Sequence, residues 1–180
     1  QMSSSSPVSS NNITFTLDPS DNLAGETTYL ARVTTGVTDS AGNALSSQYD
    51  DSTGFTTVDS TAPTVISFTT TADNQSAVLI TDNMTVTFSE KMDIATVTTN
   101  SDNTSCSGTL RVSSDNFNSC IQMSSSSPVS TDNISFTLDP SDNLTGGTTY
   151  LTKITTGVTD SAGNALSSQY DNSTGFTTAD

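Results

Sequence analysis

The sequence predicts an all-β fold, a sandwich of short strands, and three observations lead to this prediction. Apolar residues recur at every second position, which is typical of half-buried strands. Clusters of Asn, Asp, Gly, Ser and Pro separate these runs and indicate turns. No segment keeps a helical period over a dozen residues. This alternation outweighs the composition, because 67 Ser and Thr among 180 residues and only 31% hydrophobic residues would by themselves be typical of disorder.

The chain contains an internal repeat with a period of about 121 residues. Residues 1–59 align without a gap with residues 122–180, and 49 of the 59 pairs are identical. A match of this length predicts tandem domains, each in the usual size range of a single domain. We therefore expect residues 60–180 to form one complete domain and residues 1–59 to form the C-terminal half of another.

The front half of the complete domain contains three predicted strands, since β-branched and aromatic residues alternate there with Ser and Thr. The strands lie near Thr64–Thr69, Met84–Ser89 and Thr109–Ser113. Their inward-facing residues are expected to be Ile66, Phe68, Met84, Val86, Phe88, Leu110 and Val112. The segment 89–97 is a candidate for a single helical turn.

The back half of the domain contains four predicted strands. They lie near Cys120–Met123, Asn133–Leu138, Thr149–Thr155 and Gly175–Thr178. Their inward-facing residues are expected to be Ile134, Phe136, Leu138, Tyr150, Ile154 and Phe176. Thr and Ser suit the solvent faces of such strands without adding charge, which explains how so polar a chain can fold. Seven short strands in all are what a β-sandwich requires.

The segment TDSAGNAL, at residues 159–166, predicts a tight turn. The Asp160 carboxylate can accept hydrogen bonds from backbone amides, while Gly163 and Asn164 are suited to positive φ. The first copy of the repeat offers the same chemistry at Asp39, Gly42 and Asn43. We expect both turns to have a structural role.

Charge excludes several kinds of partner. The chain has 17 Asp, 2 Glu and four Lys or Arg residues, which gives a net charge of −15. A surface of this charge repels nucleic acid and anionic lipid. The longest aliphatic run, residues 77–80, is too short to cross a bilayer. We expect neither nucleic-acid binding nor membrane insertion.

The sequence does not support catalysis. It has no His, and its many Ser residues have no evident base nearby. Asp139 and Asp142 are spaced like a carboxylate pair, but they lie in the turn sequence LDPSDN without the apolar surroundings that would raise a pKa. We expect the protein not to be an enzyme.

Calcium is the one cofactor for which the sequence offers candidates. Calcium takes six to eight oxygen ligands, and Asp and Asn in loops supply them. No stretch has EF-hand spacing, so the candidates are loops at the junction of consecutive domains. These candidates are Asp59, Asp73, Asp82 and Asn83, together with Asp18, Asp21 and Asp39 of the preceding unit. The alternative is an acidic surface that only keeps the protein in solution.

The two cysteines, Cys106 and Cys120, lie in one hydroxyl-rich stretch. A disulfide would close a loop of about 15 residues and would stabilise the fold by about 3 kcal/mol. The alternative is a pair of buried free thiols. Because structural disulfides persist in oxidising compartments, a bridge would imply an exported protein.

Four segments together resemble the bacterial immunoglobulin-like repeats of S-layer and giant surface proteins. These segments are VDSTAPTVISF at residues 58–68, MTVTFSEKMD at 84–93, TTYLTKITTGVTDSAGNAL at 148–166 and GFTT at 175–178. The resemblance implies an immunoglobulin-like β-sandwich in tandem repeats of about 121 residues. It also implies that calcium at the linkers stiffens the array, as in many surface repeats of this kind.

The spacing of Leu144 and Tyr150 is similar to the tyrosine corner of immunoglobulin-like sandwiches, in which the phenol hydroxyl bonds the upstream backbone. Leu23 and Tyr29 repeat this spacing in the first copy. The resemblance therefore implies a structural role for both tyrosines.

These observations lead us to expect an extracellular module at the cell surface, a stiff spacer of a fibre, filament or adhesin stalk. Its partners would be copies of itself, as neighbouring repeats or chains. The alternative is an immunoglobulin-like module of an adhesin or secreted enzyme that binds carbohydrate or a cell surface. Against it, the chain has no Trp, and its four Tyr form repeat-equivalent pairs that are explained as fold residues.

The half domain at residues 1–59 would by itself expose one face of a sandwich. We expect an equivalent front half to cover that face. The front half would come either from a longer array, of which this chain is a window, or from a separate chain by strand complementation.

Overall fold

The computed structural model describes residues 1–3, 6–70 and 75–180. These residues contain no α-helix, and so no helix with the length and hydropathy needed to cross a membrane. The chain divides into two compact units, Gln1–Ser60 and Thr61–Asp180. This boundary lies one residue from the end of the repeat at residue 59. The prediction of an all-β fold is confirmed.

The first unit contains four strands of two residues each. They are β1 (Thr28–Tyr29), β2 (Arg32–Val33), β3 (Tyr49–Asp50) and β4 (Phe55–Thr56). β1 pairs with β4 and β2 pairs with β3, both antiparallel. The second copy of the repeat forms longer strands from nearly the same sequence.

The described residues of the second unit, 61–70 and 75–180, form six strands in two antiparallel sheets. The strands are β5 (Val65–Thr69), β6 (Met84–Phe88), β7 (Leu110–Ser113), β8 (Ser135–Leu138), β9 (Thr149–Ile154) and β10 (Tyr170–Thr177). One sheet has the order β5-β6-β8 and the other the order β10-β9-β7. Alternate side chains of both sheets point into one core, which is the arrangement of a β-sandwich.

The core of the second unit contains nine residues from the front half and nine from the back half. The front-half members are Phe68, Val78, Met84, Val86, Phe88, Met92, Val97, Leu110 and Val112. The back-half members are Met123, Phe136, Leu138, Leu144, Tyr150, Ile154, Val158, Leu166 and Phe176. The predicted inward positions are buried except for Ile66, which is exposed, and Ile134, which is half-buried.

Ile66 was predicted to face inward and instead faces solvent, with 66% of its surface exposed. The cause is a register shift between β5 and β6 at positions 65 and 67. A bulge adds one residue to one strand, so the alternation of faces changes there. As a result, both Val65 and Phe68 contact the core although they are three residues apart.

Two other segments differ from their predicted structure. The predicted strand at Cys120–Met123 forms only an isolated bridge at Met123, because its amides bond to separate segments: Ile121 N–H to Val112 and Met123 N–H to Asn100. The segment 89–97 contains a turn closed by the Thr96 N–H and the Asp93 carbonyl at 3.0 Å, not a helical turn. The last strand, β10, begins at Tyr170, five residues before its predicted start.

Candidate functional site

The two copies of the repeat place identical residues in opposite environments. Phe136 is 1% exposed in the second unit, whereas its counterpart Phe15 is 53% exposed in the first. Six further residues of the first unit are exposed although their counterparts belong to the core of the second: Met2, Leu17, Val33, Val37, Leu45 and Phe55. These seven residues form what we call the open face of the first unit. Val8 differs from them, because it and its counterpart Val129 are both exposed.

The strands of the open face lack the neighbours that their counterparts have. In the second unit, β8 pairs with β6 and β9 pairs with β7. In the described part of the first unit, residues 14–17 make only a bridge between Thr16 and Val8. The counterpart of β9 is interrupted there, and only β1 and β2 remain of it.

A groove of about 1010 Å³ opens on this face. Its apolar lining includes Phe15, Val37 and Leu45. Polar residues at its rim include Asn12, Thr38, Asp39 and Ser40. The counterparts of the three apolar residues are fully covered in the second unit, so the groove is open only where the front half is missing.

Both predicted tyrosine corners have the same local geometry. The Thr145 N–H donates to the Tyr150 hydroxyl at 2.9 Å, and the Ala24 N–H donates to the Tyr29 hydroxyl at 3.0 Å. The ring of Tyr150 stacks on Phe176 at 5.5 Å between centroids. This local structure therefore forms with or without the covering half.

The two Asp turns also match one another. The Asp160 carboxylate accepts from the Ala162 and Asn164 N–H groups at 2.8 Å, and from the Asn164 side-chain amide at 2.8 Å. Asp39 accepts the equivalent bonds in the first unit, and the bond from the Asn43 side chain is the main cause of a lowered pKa of Asp39. Gly163 has φ of +93°. Asn164, which the sequence also suited to positive φ, does not adopt it, and its side-chain amide donates to the Asp160 carboxylate.

The predicted calcium ligands lie in different parts of the fold. Asp18, Asp21, Asp39 and Asp59 belong to the first unit, Asp82 and Asn83 belong to the second, and Asp73 lies outside the described residues. Asp18 accepts a bond from Ser3, and Asp21 accepts one from Ser20. Asp82 is nearly buried, whereas Asn83 is exposed. Calcium binding stays a prediction.

The two cysteines form a disulfide, with the Cα atoms of Cys106 and Cys120 4.9 Å apart. Cys120 is 2% exposed, so the bridge ties the loop to the core. Within the loop, the Phe117 ring lies 4.3 Å from the ammonium of Lys153 on β9. The loop is therefore held at its ends by the bridge and close to Cys120 by a cation–π contact.

Replacing both cysteines, as Cys106→Ser with Cys120→Ser, is expected to lower the free energy of unfolding of the second unit by about 3 kcal/mol, the value for a loop of this length. Urea unfolding followed by far-UV circular dichroism measures the change. Adding a reductant should bring the unsubstituted protein to the same stability and leave the double variant unchanged. A loss below about 1 kcal/mol would show that the bridge does not restrict the unfolded chain.

Asp115, inside the disulfide loop, is surrounded by donors. The Ser119 hydroxyl donates to it at 2.6 Å, the Ser119 N–H at 3.0 Å and the Ser113 hydroxyl at 2.8 Å. These bonds, led by the Ser119 hydroxyl, lower the pKa of Asp115 from 3.8 to about 2. Ionised Asp115 therefore organises the loop.

Because the pKa of Asp115 is lower in the folded state, its ionisation stabilises the fold above about pH 4 and stops doing so as the pH falls to about 2. We expect Asp115→Asn to reduce stability near pH 6 and to have little effect at pH 2. Urea midpoints measured between pH 2 and 6 test this. Ser119→Ala, which removes the main donor, should reproduce part of the effect. An equal loss at every pH would contradict the assignment.

The carboxylate pair named in the sequence analysis lies at the surface of the second unit. Asp139 and Asp142 are both exposed, and Asp139 accepts a bond from the Ser124 hydroxyl at 2.9 Å. The depression beside Asp142 and Tyr150 measures about 170 Å³, less than the usual volume of a small-molecule site.

Comparison with known proteins gives one family. A model of the bacterial Ig-like domain matches residues 1–57 and 59–178, which is nearly the whole chain. A comparison with curated proteins returns no match. The first matched region lies within the first unit, and the second covers nearly all of the second unit. The chain therefore belongs to the bacterial Ig-like domain family.

Proposed function

We propose that the chain is an extracellular structural module, a stiff spacer in a surface fibre, filament or adhesin stalk. Its family supports this proposal, since a bacterial Ig-like domain suggests a structural or adhesin-type module of the surface. Such domains are commonly extracellular and typically non-catalytic. The repetition of one unit within the chain is the pattern of a protein that gains length by adding modules.

One observation carries the mechanical part of the proposal: a parallel pairing between a segment near the start of the second unit and the C-terminal end of that unit. Residues 75–78 follow the first strand of the unit, and residues 177–179 lie at the C-terminal end. They are joined by a parallel bridge between Val78 and Thr178. The bonds are Thr177 N–H to Gln75 at 2.7 Å, Val78 N–H to Thr177 at 3.1 Å and Ala179 N–H to Val78 at 2.7 Å.

This arrangement resists tension applied through the chain ends. Tension pulls the front segment toward its N-terminus and the rear segment toward its C-terminus. Because the two segments run parallel, the tension slides them past each other and loads the three bonds together. In an antiparallel hairpin pulled at its ends, the bonds would open one at a time. The parallel pairing of residues 75–78 with residues 177–179 therefore suits a unit in a tethered array.

Two further features fit a spacer. Pro63, at the start of the second unit, is buried and has a restricted φ, which limits backbone freedom at the junction. The net charge of −15 keeps neighbouring fibres apart, and the hydroxyl-rich strand faces offer few adhesive edges.

Single-molecule stretching of the 180-residue chain by its ends tests the proposal. We expect the second unit to open in one abrupt step. Reducing the disulfide should lengthen that step by roughly 40–45 Å, because it releases 14 residues at about 3.3–3.6 Å each, less the 4.9 Å that the bridged Cα atoms already span. Ala179→Pro removes one amide of the pairing and should lower the opening force, whereas Ala179→Gly keeps the amide and should not. Gradual extension without a step would refute a mechanical role.

A ligand-binding module of an adhesin or secreted enzyme is the competing function. Sugar sites use exposed aromatic side chains; in the second unit Phe88, Phe136, Tyr150 and Phe176 are buried, whereas the exposed Phe15 and Phe55 belong to the open face of the first unit. A glycan array and whole-cell binding assays with the same chain separate the two functions. Specific, saturable binding would favour the module over the spacer.

A further inference from the structure

We propose that the open face of the first unit binds a front-half segment, a stretch with the sequence of residues 60–121 that belongs to another copy of the repeat. The inference concerns assembly and does not depend on the mechanical role proposed above. It rests on a comparison that the chain itself supplies: 49 of 59 residues of this half recur in the second unit, where the same face is covered.

The identity of the occupant follows from what covers the face in the second unit. Nine core residues of the back half pack there against nine of the front half. The first unit has the same residue types at the nine back-half positions, apart from Val33 in place of Ile154. A partner that fills this face must present a complementary apolar surface of the same size, and the front half does so in the second unit.

The groove on the open face identifies one segment of the occupant in detail. In the second unit, residues 91–93 bond to Asn133 and to residues 159–161: Met92 N–H to Asn133 at 2.8 Å, Asp93 N–H to Thr159 at 2.9 Å and Ser161 N–H to Lys91 at 3.0 Å. The counterparts of these partners are Asn12, Thr38 and Ser40, all of which line the groove. Met92 is 2% exposed in the second unit, and we therefore expect the side chain of its equivalent in the occupant to fill the groove.

Backbone groups at the groove are also left open. Within the described residues, the Asn12 and Thr38 carbonyls and the Ser40 N–H lack the bonds that their counterparts make with residues 91–93. Residues 14–17 and 30–33 likewise lack the strands that pair with β8 and β9 in the second unit. The occupant must pair extended backbone with residues 14–17 and with residues 30–33, and it must also supply apolar side chains. This requirement favours a front half over an unrelated apolar ligand.

The front half at residues 60–121 does not meet this need, because it is already part of the second unit's core. The occupant is therefore an additional front half. Both partners carry more Asp and Glu than Lys and Arg, so we expect added salt to strengthen binding, the reverse of a charge-driven contact.

The test adds a peptide of residues 60–121, with its disulfide formed, to the full chain and follows amide hydrogen exchange by mass spectrometry. Segments 10–17 and 27–35 differ in sequence from 131–138 and 148–156, so fragment ions from tandem mass spectrometry distinguish the two copies. We expect exchange at Phe15, Leu17 and Thr34 to slow by about tenfold or more at saturation, because the counterparts of these amides face the front half in the second unit. Exchange in the second unit should stay as it was.

Matched variants distinguish specific binding of the peptide from non-specific hydrophobic contact. Phe15→Asp on the open face should abolish the protection. Val8→Asp should keep it, because Val8 and its counterpart Val129 are both exposed. In the peptide, Met92→Asp should abolish binding and Ile94→Asp should not, since Ile94 is 59% exposed in the second unit. Equal effects of both members of either pair would overturn the proposal.

Two other outcomes also overturn it. One is dimerisation of the chain without peptide, detected by sedimentation and lost in Phe15→Asp, which would assign the face to a second copy. The other is no protection at saturating peptide. If the peptide aggregates, fusing residues 60–121 ahead of Gln1 restores the junction found between Ile121 and Gln122. The fused chain must then protect residues 14–17 and 30–33, and unprotected amides there would refute the inference.

Discussion

Phe136→Ala is expected to destabilise the second unit by about 3–5 kcal/mol. Phe15→Ala, at the equivalent position of the first unit, should change the stability of the first unit by less than about 0.5 kcal/mol. Phe136 is 1% exposed and its ring lies edge-on to Phe88, with centroids 5.9 Å apart. Removing the ring leaves a cavity between the two sheets. Phe15 is 53% exposed, so its removal uncovers little.

Urea unfolding of both variants, followed by far-UV circular dichroism, measures the difference. The pair is well matched, because residues 15–17 and 136–138 are identical and the same substitution is made in both. Adding the front-half peptide should make Phe15→Ala costly as well, since the ring would then be buried. If both substitutions are equally mild, the core of the second unit is looser than its burial indicates.

Most of the second unit was predictable from local patterns. The strand at Met84–Phe88 alternates strictly between buried and half-buried residues, as its sequence of alternating apolar and Thr residues predicts. The turn at Asp160 was likewise predictable, because carboxylate and glycine chemistry act over four residues. Such features depend on residues that are close in sequence, so one sequence is enough to predict them.

The features that were missed depend on contacts distant in sequence. The bulge that turns Ile66 outward is set by the pairing of β5 with β6, which the residues around 66 do not encode. The parallel bridge between Val78 and Thr178 joins segments 100 residues apart. The open face, in contrast, was expected from the repeat, because residues 1–59 match only the back half of the second unit, where the front half covers the same face.

Gly175→Ala is expected to cost the second unit about 2–5 kcal/mol, the sum of a backbone term and a steric term. Gly175 has φ of +64°, which any L side chain adopts with strain of about 1–2 kcal/mol. A Cβ at this position would also overlap the Tyr150 carbonyl oxygen and lie 2.9 Å from the carbonyl carbon. The obstacle is backbone of β9, so relief requires moving a central strand.

Gly163→Ala separates these two terms. Gly163 has φ of +93°, but a Cβ there meets nothing within 4 Å, so its variant should cost only the backbone term of about 1–2 kcal/mol. The difference between the two variants in urea unfolding measures the closeness of β10 to β9 at the register shift between residues 172 and 176. Equal losses would mean that the bulge opens without disturbing β9. A larger loss for Gly175→Ala would show that this glycine is required because two backbones approach each other, a constraint that the first repeat shares at Gly54, whose Cβ would overlap the Tyr29 carbonyl oxygen.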